Sequence, residues 1–305
     1  MKQGHQKSAH SEDVFGEDRE YWWNEDFLEL MAERLGLDQC KSIVDVGCGI
    51  GALAFKLSPY FPSGSSLTGV DLEKKHVKKA KQRTRKMRKD VSFNFIEGDA
   101  QSLPIEDDFA DLCYCQTLLI HVDDPSEALA EMKRVTKPGG WLVALEPNNL
   151  VPNLMFDTYE QTNYNVDDIM QNVEVRLRCE KGKKELGEGF NSLGDALPDL
   201  FKKCDLEDIQ VWISDKALPL IPPYDTREKR VRAAQMIEWL ESESGGFDYD
   251  ENLRYFKAGG GKKLDFDAYW DRVMGYKSVL LDQLKKGDYI SAGGSMMYIV
   301  AAKVK

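Results

Sequence analysis

The sequence predicts an α/β fold built on a mostly parallel sheet, and three observations predict it. Short apolar runs rich in β-formers, SIVDVG, SLTGVDLE, VSFNFIEGDA, ADLCYCQTLL and WLVALEPN, recur between residues 42 and 148. Segments with helical spacing separate several of them, and strands alternating with helices require right-handed crossovers. The chain has 305 residues, 42% hydrophobic and 30% charged, enough to bury a full core in one elaborated domain.

The elements follow in order. Residues 1 to about 18 lack periodic apolar positions and are expected to form a mobile arm. From Tyr21 onward, Phe27, Leu28, Met31 and Leu35 recur at helical spacing, and Gly36 is a natural stop. SIVDVG then reads as a strand ending in a glycine turn, followed by the helix-like ALAFKLSPYF. SLTGVDLE closes a second strand on Asp71. The basic segment Lys74 to Lys89 reads as a helix with Val77, Ala80, Thr84 and Met87 on one face. VSFNFIEGDA and ADLCYCQTLL supply the third and fourth strands, PSEALAEMKRVTK a helix, and WLVALEPN the fifth strand.

After Pro147 the rhythm breaks, and about 40 residues show no clear strand-helix repeat. NSLGDALPDLFKKC is helix-like and LEDIQVWISD strand-like. Two further helical stretches, TREKRVRAAQMIEWLES and DAYWDRVMGYKSVLLDQL, are joined through FKAGGGKK, read as a flexible hinge. SMMYIVAAKVK is the last strand. The expected organisation is an arm and helix over 1–39, a ligand-binding core over 40–150, an insertion or lid over 151–190, a core helix and strand over 191–216, a helical cap insertion over 217–290 and a final core strand over 291–305.

The formal charge of −11 disfavours nucleic acid as the general partner. The exception is Lys74 to Lys89, with ten Lys or Arg in sixteen positions. It is either an ordinary solvated face or a guide for an anionic substrate, an RNA or an acidic partner. No apolar run reaches the roughly 20 residues of a membrane span, and the polar N-terminus lacks the apolar stretch of a secretory signal. A cytoplasmic protein is expected. The six cysteines include no C-x-x-C pair, so neither a disulfide framework nor a metal site is expected.

Gly47, Gly49 and Gly51 sit between a strand and a helix, where missing side chains let backbone turn sharply and approach a ligand. The G-x-G-x-G pattern lacks the last spacing of the dinucleotide fingerprint G-x-G-x-x-G. Asp71 ends the second strand, where a carboxylate can accept from ribose hydroxyls, although it can equally cap the next helix. Asp99 stands at the same carboxyl edge, or is simply a turn aspartate. A nicotinamide-dependent oxidoreductase shares the glycine turn and the acidic strand end, and stays open on these residues alone.

Taken as an ordered set, VDVGCGIG, GVDLE, EGDAQSLP, FADLCYCQTLLIHVDDP and KPGGWLVALEP resemble the class I S-adenosylmethionine-dependent methyltransferases, in the broad small-molecule group that includes quinone-biosynthesis enzymes. The likeness covers about residues 40 to 150. It implies a Rossmann-like seven-stranded sheet with an antiparallel last strand, plus helical cap insertions, and S-adenosyl-L-methionine as cofactor. Carried over position by position, Asp45 and the loop Gly47, Cys48, Gly49 and Gly51 would face the methionine moiety, Asp71 the ribose and Leu72 one adenine face. Asp99 and the Ala100 amide would meet the adenine, and Gln116 and Thr117 the sulfonium region.

The implied reaction is methyl transfer to a small-molecule acceptor at oxygen, nitrogen or carbon. His121 is the candidate base, after the fourth strand, or else a residue that orients the next helix. Tyr21, Trp22 and Trp23 are candidates to fold over the cofactor, or else core packing. Tyr159, Tyr164, Trp239, Tyr269 and Trp270 are candidate pocket aromatics or ordinary interior residues. Rival readings are a non-catalytic S-adenosylmethionine-binding module and an RNA-directed methyltransferase. The sequence does not name an acceptor or an oligomeric state.

Overall fold

The structure is a computed structural model, and it describes residues 16–163, 165–242 and 248–305. Most of the expected N-terminal arm, and Tyr164, lie outside the described residues.

A 3-10 turn, Gly16–Tyr21, leads into α1 (Glu25–Leu35). This helix buries Phe27, Leu28, Met31, Ala32 and Leu35, and Gly36 ends it in the left-handed region at φ 61°, its amide returning to the Ala32 and Glu33 carbonyls. That is the glycine stop expected from the sequence. The core then runs β1 (Ser42–Val46), α2 (Ala52–Leu57), β2 (Ser66–Asp71), α3 (Lys74–Arg83), β3 (Ser92–Glu97), β4 (Ala110–Gln116), α4 (Pro125–Val135) and β5 (Thr136–Asn148). After it come α5 (Thr158–Thr162), α6 (Val166–Glu185), α7 (Leu197–Lys203), β6 (Glu207–Ile213), α8 (Arg227–Ser242), α9 (Tyr249–Ala258), α10 (Lys263–Lys286) and β7 (Met296–Lys303).

The seven strands form one sheet in the order β3-β2-β1-β4-β5-β7-β6. β1 pairs parallel with both β2 and β4, β5 parallel with β4, and β7 antiparallel with β5 and β6. The strand order reverses between β1 and β4, and in open α/β sheets such a switch point opens a crevice at the carboxyl ends of the strands. Period-two alternation sends side chains to two cores. Ile43, Leu112 and Tyr114 join α1 and α2 on one face, with Phe55 and Phe95. Val44, Cys113 and Cys115 join α4 and α7 on the other, with Leu129 and Phe201.

Helices outside the sheet close two smaller cores. Val175, Cys179, Tyr255, Phe256, Phe266 and Tyr269 form one, between α6, α9 and α10. Leu220, Ala233, Leu240, Leu280, Leu284 and Tyr289 form the other, between α8 and α10.

Three expectations are corrected here. The segment after Pro147 contains a 20-residue helix, α6, which periodicity misses because its buried positions are Val175, Cys179, Gly182 and Lys183. The spacing is helical, but glycine and lysine are not apolar signals. The basic helix ends at Arg83 and passes into a 3-10 turn, Thr84–Lys86. The chain is drawn away by Arg88, which donates to the Ser58 and Phe61 carbonyls at 2.9 and 3.0 Å. Two of the three glycines of FKAGGGKK, Gly259 and Gly261, are packing residues rather than hinge positions. A Cβ on Gly259 would lie 2.0 Å from the Arg178 carbonyl oxygen, and one on Gly261 2.1 Å from the Phe256 ring. From the other side, a Cβ on Gly182 would lie 1.8 Å from the Tyr255 carbonyl oxygen, so α6 and α9 touch backbone to backbone.

Candidate functional site

The carboxyl ends of β1 to β4 bring most of the expected residues into one row. Asp45 is buried near the end of β1. The following loop holds Gly47, Gly49 and Gly51 at φ 69°, 52° and 79°, where any Cβ is strained. Asp71, at the end of β2, ties two loops together: its Oδ2 accepts from the Gly49 amide at 2.8 Å and its Oδ1 from the Glu73 amide at 2.9 Å. Buried His76, one turn into α3, reaches the same Oδ1 through Nδ1 at 3.3 Å. The sequence reading gave His76 no role.

Beside Asp71, Leu72 is left 49% exposed, an apolar side chain at the mouth of the row. Ala100 is buried. Asp99 uses one carboxylate oxygen on the Gln101 amide at 2.9 Å and is otherwise exposed. The Cys48 thiol donates to the Gly49 carbonyl at 3.7 Å, and its sulfur packs into the core where a Cβ on Gly69 would come within 2.9 Å of it. Cys113 and Cys115 are fully buried, and burial pushes both thiols up, as expected for inert core residues.

Gln116 and Thr117 end β4, both buried. Thr117 is a β-branched residue at φ 49°, a conformation costing about 1–2 kcal/mol. Its amide donates to the Leu145 carbonyl at 2.9 Å and its hydroxyl to the Gln116 carbonyl at 2.8 Å.

The group that fixes this strained turn is Glu146 in β5, which the sequence reading passed over. It is 0% exposed, and its Oε1 accepts from the Leu118 and Leu119 amides at 2.8 and 2.7 Å. Oε2 has no partner, and burial pushes the carboxyl up to about 8. Leu118 in turn leans on the glycine loop, since a Cβ on Gly47 would meet its Cδ1 at 2.8 Å. Glu146 thus sets the β4 loop, and through Leu118 braces the β1 loop. An acid inside the apolar run WLVALEP was the available signal.

A cavity of about 750 Å³ opens where the row ends at Thr117. Trp22, Trp23, Ile120 and His121 line it on the sheet side. Tyr21 is not among its lining residues, so of the three N-terminal aromatics only the tryptophans face it. Trp239 lines the far wall. Tyr159 instead packs against Tyr276 in a tilted pair with ring centroids 5.4 Å apart, and Tyr269 and Trp270 pack on Phe266. The 3-10 turn Gly16–Tyr21 is bound to the cap: Asp18 pairs with Arg232 of α8 at 3.3 Å, both nearly buried. Breaking such a pair from one side costs about 3–5 kcal/mol.

His121 is partly buried in the 3-10 turn Leu119–His121, at the cavity edge. Gly189, at φ 84°, brings a second loop against it, because a Cβ there would sit 2.4 Å from the Ile120 carbonyl oxygen. Three glycines in eight residues, Gly187, Gly189 and Gly194, were the sequence signal for this close approach. The basic segment stays apart: Lys74, Lys78, Lys79, Lys81, Arg85 and Lys86 are exposed and do not line the cavity. Among the described residues, no helix is long and apolar enough to cross a membrane.

Glycine loop, acidic strand end and crevice at the switch point are the features of a candidate nucleotide-type ligand site on a doubly wound α/β sheet. A family model described as a methyltransferase domain matches residues 44–144, the segment that carries this row. The chain is 36% identical over 113 residues to an uncharacterized methyltransferase of Schizosaccharomyces pombe, covering 35% of this chain and 40% of that one. It is 34% identical over 124 residues to a demethylmenaquinone methyltransferase of Staphylococcus aureus, covering 41% and 48%. It is 32% identical over 102 residues to a ubiquinone biosynthesis O-methyltransferase of Thiobacillus denitrificans, covering 33% and 42%. The matched segment spans less than half the length of each of these relatives. Residues 44–144 are thus similar to a methyltransferase domain.

Proposed function

We propose that this chain transfers a methyl group from S-adenosyl-L-methionine to a small-molecule acceptor held in the cavity beyond Thr117. The observation that carries the reading is the ordered row Asp45, Gly47 to Gly51, Asp71, Asp99 and Thr117 along consecutive strand ends, running into that cavity. The residues suit the donor. Asp45 offers a buried carboxylate to the methionine ammonium, and the glycine backbone of Gly47 and Gly49, held by the Val70 carbonyl and Asp71, leaves room beside the methionine moiety. Asp71, already oriented by two amides and His76, presents its carboxylate to the ribose hydroxyls. The exposed Leu72 side chain is covered by one adenine face, and Asp99 has an oxygen left for the adenine amino group. Gln116 and Thr117 border the sulfonium region.

Bound there, the donor supplies an already activated methyl on sulfur. The protein's work is alignment and exclusion of water, and alignment alone accounts for much of the acceleration in such reactions. Glu146 and Leu118 hold the strained Thr117 turn rigid at the junction of the two subsites. Trp22, whose ring carries the Arg19 guanidinium 4.9 Å from its centroid, and Trp23, stacked on Phe27, wall the junction. His121 at the cavity edge takes the proton when the acceptor is oxygen or nitrogen. In this reading residues 1–39 cover the donor site, 151–190 form a lid and 217–290 a cap. The six free thiols, five of them buried, fit a reducing compartment, and a cytoplasmic setting belongs to the proposal.

The test is isothermal titration with S-adenosylhomocysteine. Saturable one-to-one binding is expected, and no binding by well-folded protein would overturn the reading.

A further inference from the structure

The cavity has two chemically different ends. One is apolar, walled by Leu220, Met236, Trp239, Leu240, Leu280 and Tyr289. The other is lined by Arg176, Glu180, Lys183, Asn191 and Glu251. Lys183 is 4% exposed, and its ammonium donates to the Asn191 side-chain oxygen, with no carboxylate within 4 Å among the described residues. Burial pulls its pKa down, the mark of a cation short of compensation. Arg176 lies seven residues earlier, about 10 Å along the same helix face. Arg176 lines the cavity, and its guanidinium makes no hydrogen bond or ion pair among the described residues.

The carboxylates at this end act on the cations through space, Glu180 on both Lys183 and Arg176 and Glu251 on Lys183, and form no ion pair with either among the described residues. Glu180 accepts from the Asn191 amide at 2.8 Å, and Glu251 from the Tyr255 hydroxyl at 3.2 Å. Glu188, the third acid whose field reaches Lys183, is held by Arg254 at 2.6 Å. A buried ammonium without an ion-pair partner is costly, and a neutral ligand filling the cavity would strip its remaining water and raise that cost. An anion placed there removes it through charge-assisted hydrogen bonds.

We infer that the acceptor is an amphipathic acid, with its anionic group seated between Lys183 and Arg176 and its apolar body against Trp239 and Leu280. This rests on reading the cavity as the acceptor site, and it narrows the acceptor to a charge and a shape. A cationic acceptor would be placed against two cations, and a neutral one leaves both without a direct ion pair.

A matched pair of fluorescent probes tests it: 1-anilinonaphthalene-8-sulfonate, and N-phenyl-1-naphthylamine, the same aromatic body without the sulfonate. The wild-type protein is expected to bind the sulfonate about tenfold tighter, the effect of one charge-assisted hydrogen bond over a neutral contact. Arg176→Gln should shrink that preference, and Lys183→Met with Arg176→Gln should abolish it, while the neutral probe binds as before. Arg176→Gln removes no internal partner, so it serves if the double variant fails to fold. Equal binding of the two probes by wild type, or a preference that survives Arg176→Gln intact, would overturn the inference. S-adenosylhomocysteine titrated into the same samples judges the methyl-transfer reading separately. Donor binding without a charge preference defeats only the present inference, and a charge preference without donor binding defeats only the methyl-transfer reading.

Discussion

Replacing Glu146 by glutamine should make the protein progressively more stable than wild type as pH rises. The wild-type carboxyl titrates at about 8 when folded, against 4.5 as the ordinary value, because burial penalises its charged form. A raised folded pKa contributes stability that is full below 4.5 and is lost as pH rises through 8. Between those values the folded state holds a proton that the unfolded state has released, so stability falls by about 1.4 kcal/mol per pH unit. Integrated from pH 5 to pH 9, this removes about 4 kcal/mol from wild type and nothing from the variant. The glutamine carbonyl can still accept from both the Leu118 and Leu119 amides, so the loop is retained. Urea denaturation of both proteins at pH 5, 7 and 9 measures the difference, in which all other titrating groups cancel. A gap between the two that does not change with pH would refute the reasoning.

The other predictions concern the donor site and the cap. Asp71→Asn keeps the shape but offers a weaker, half-donor face to the ribose; S-adenosylhomocysteine affinity should fall by about 1–3 kcal/mol, roughly 5- to 150-fold by calorimetry. Unchanged affinity would remove Asp71 from the site. Gly182→Ala should destabilise by about 3 kcal/mol or more, because the added methyl would stand 1.8 Å from a backbone oxygen of α9 and must push the helices apart. Gly275→Ala, in α10 where nothing lies within 4 Å, should instead stabilise by up to about 1 kcal/mol, and a thermal melt that ranks the two alike would contradict the packing account.

What was legible in the sequence follows from the kind of information each part uses. The strand ends were readable because their backbone needs are local: Gly47, Gly49 and Gly51 are required by positive φ, and Asp71 and Asp99 stand at fixed distances from their strands. The left-handed stop at Gly36 was readable for the same reason. The cavity beyond Thr117 was not, because tertiary contacts build it. Its cations sit on α6, whose buried face includes Gly182 and Lys183 and so carries only half of an apolar pattern. The glycines of FKAGGGKK look the same in sequence whether they flex or let two helices touch, and only the Arg178 backbone beside Gly259 decides. Glu146 could have been noticed as an acid within an apolar strand, but its role depends on Leu118 and Leu119, which come nearly thirty residues earlier.

The account stands most directly on where the donor binds. A crystal structure of the protein with S-adenosylhomocysteine should show the adenine beside Leu72 and Asp99, the ribose on Asp71 and the sulfur at the Thr117 edge of the cavity. Ligand density away from the Gly47 to Gly51 loop, or a sulfur facing away from the cavity, would contradict it.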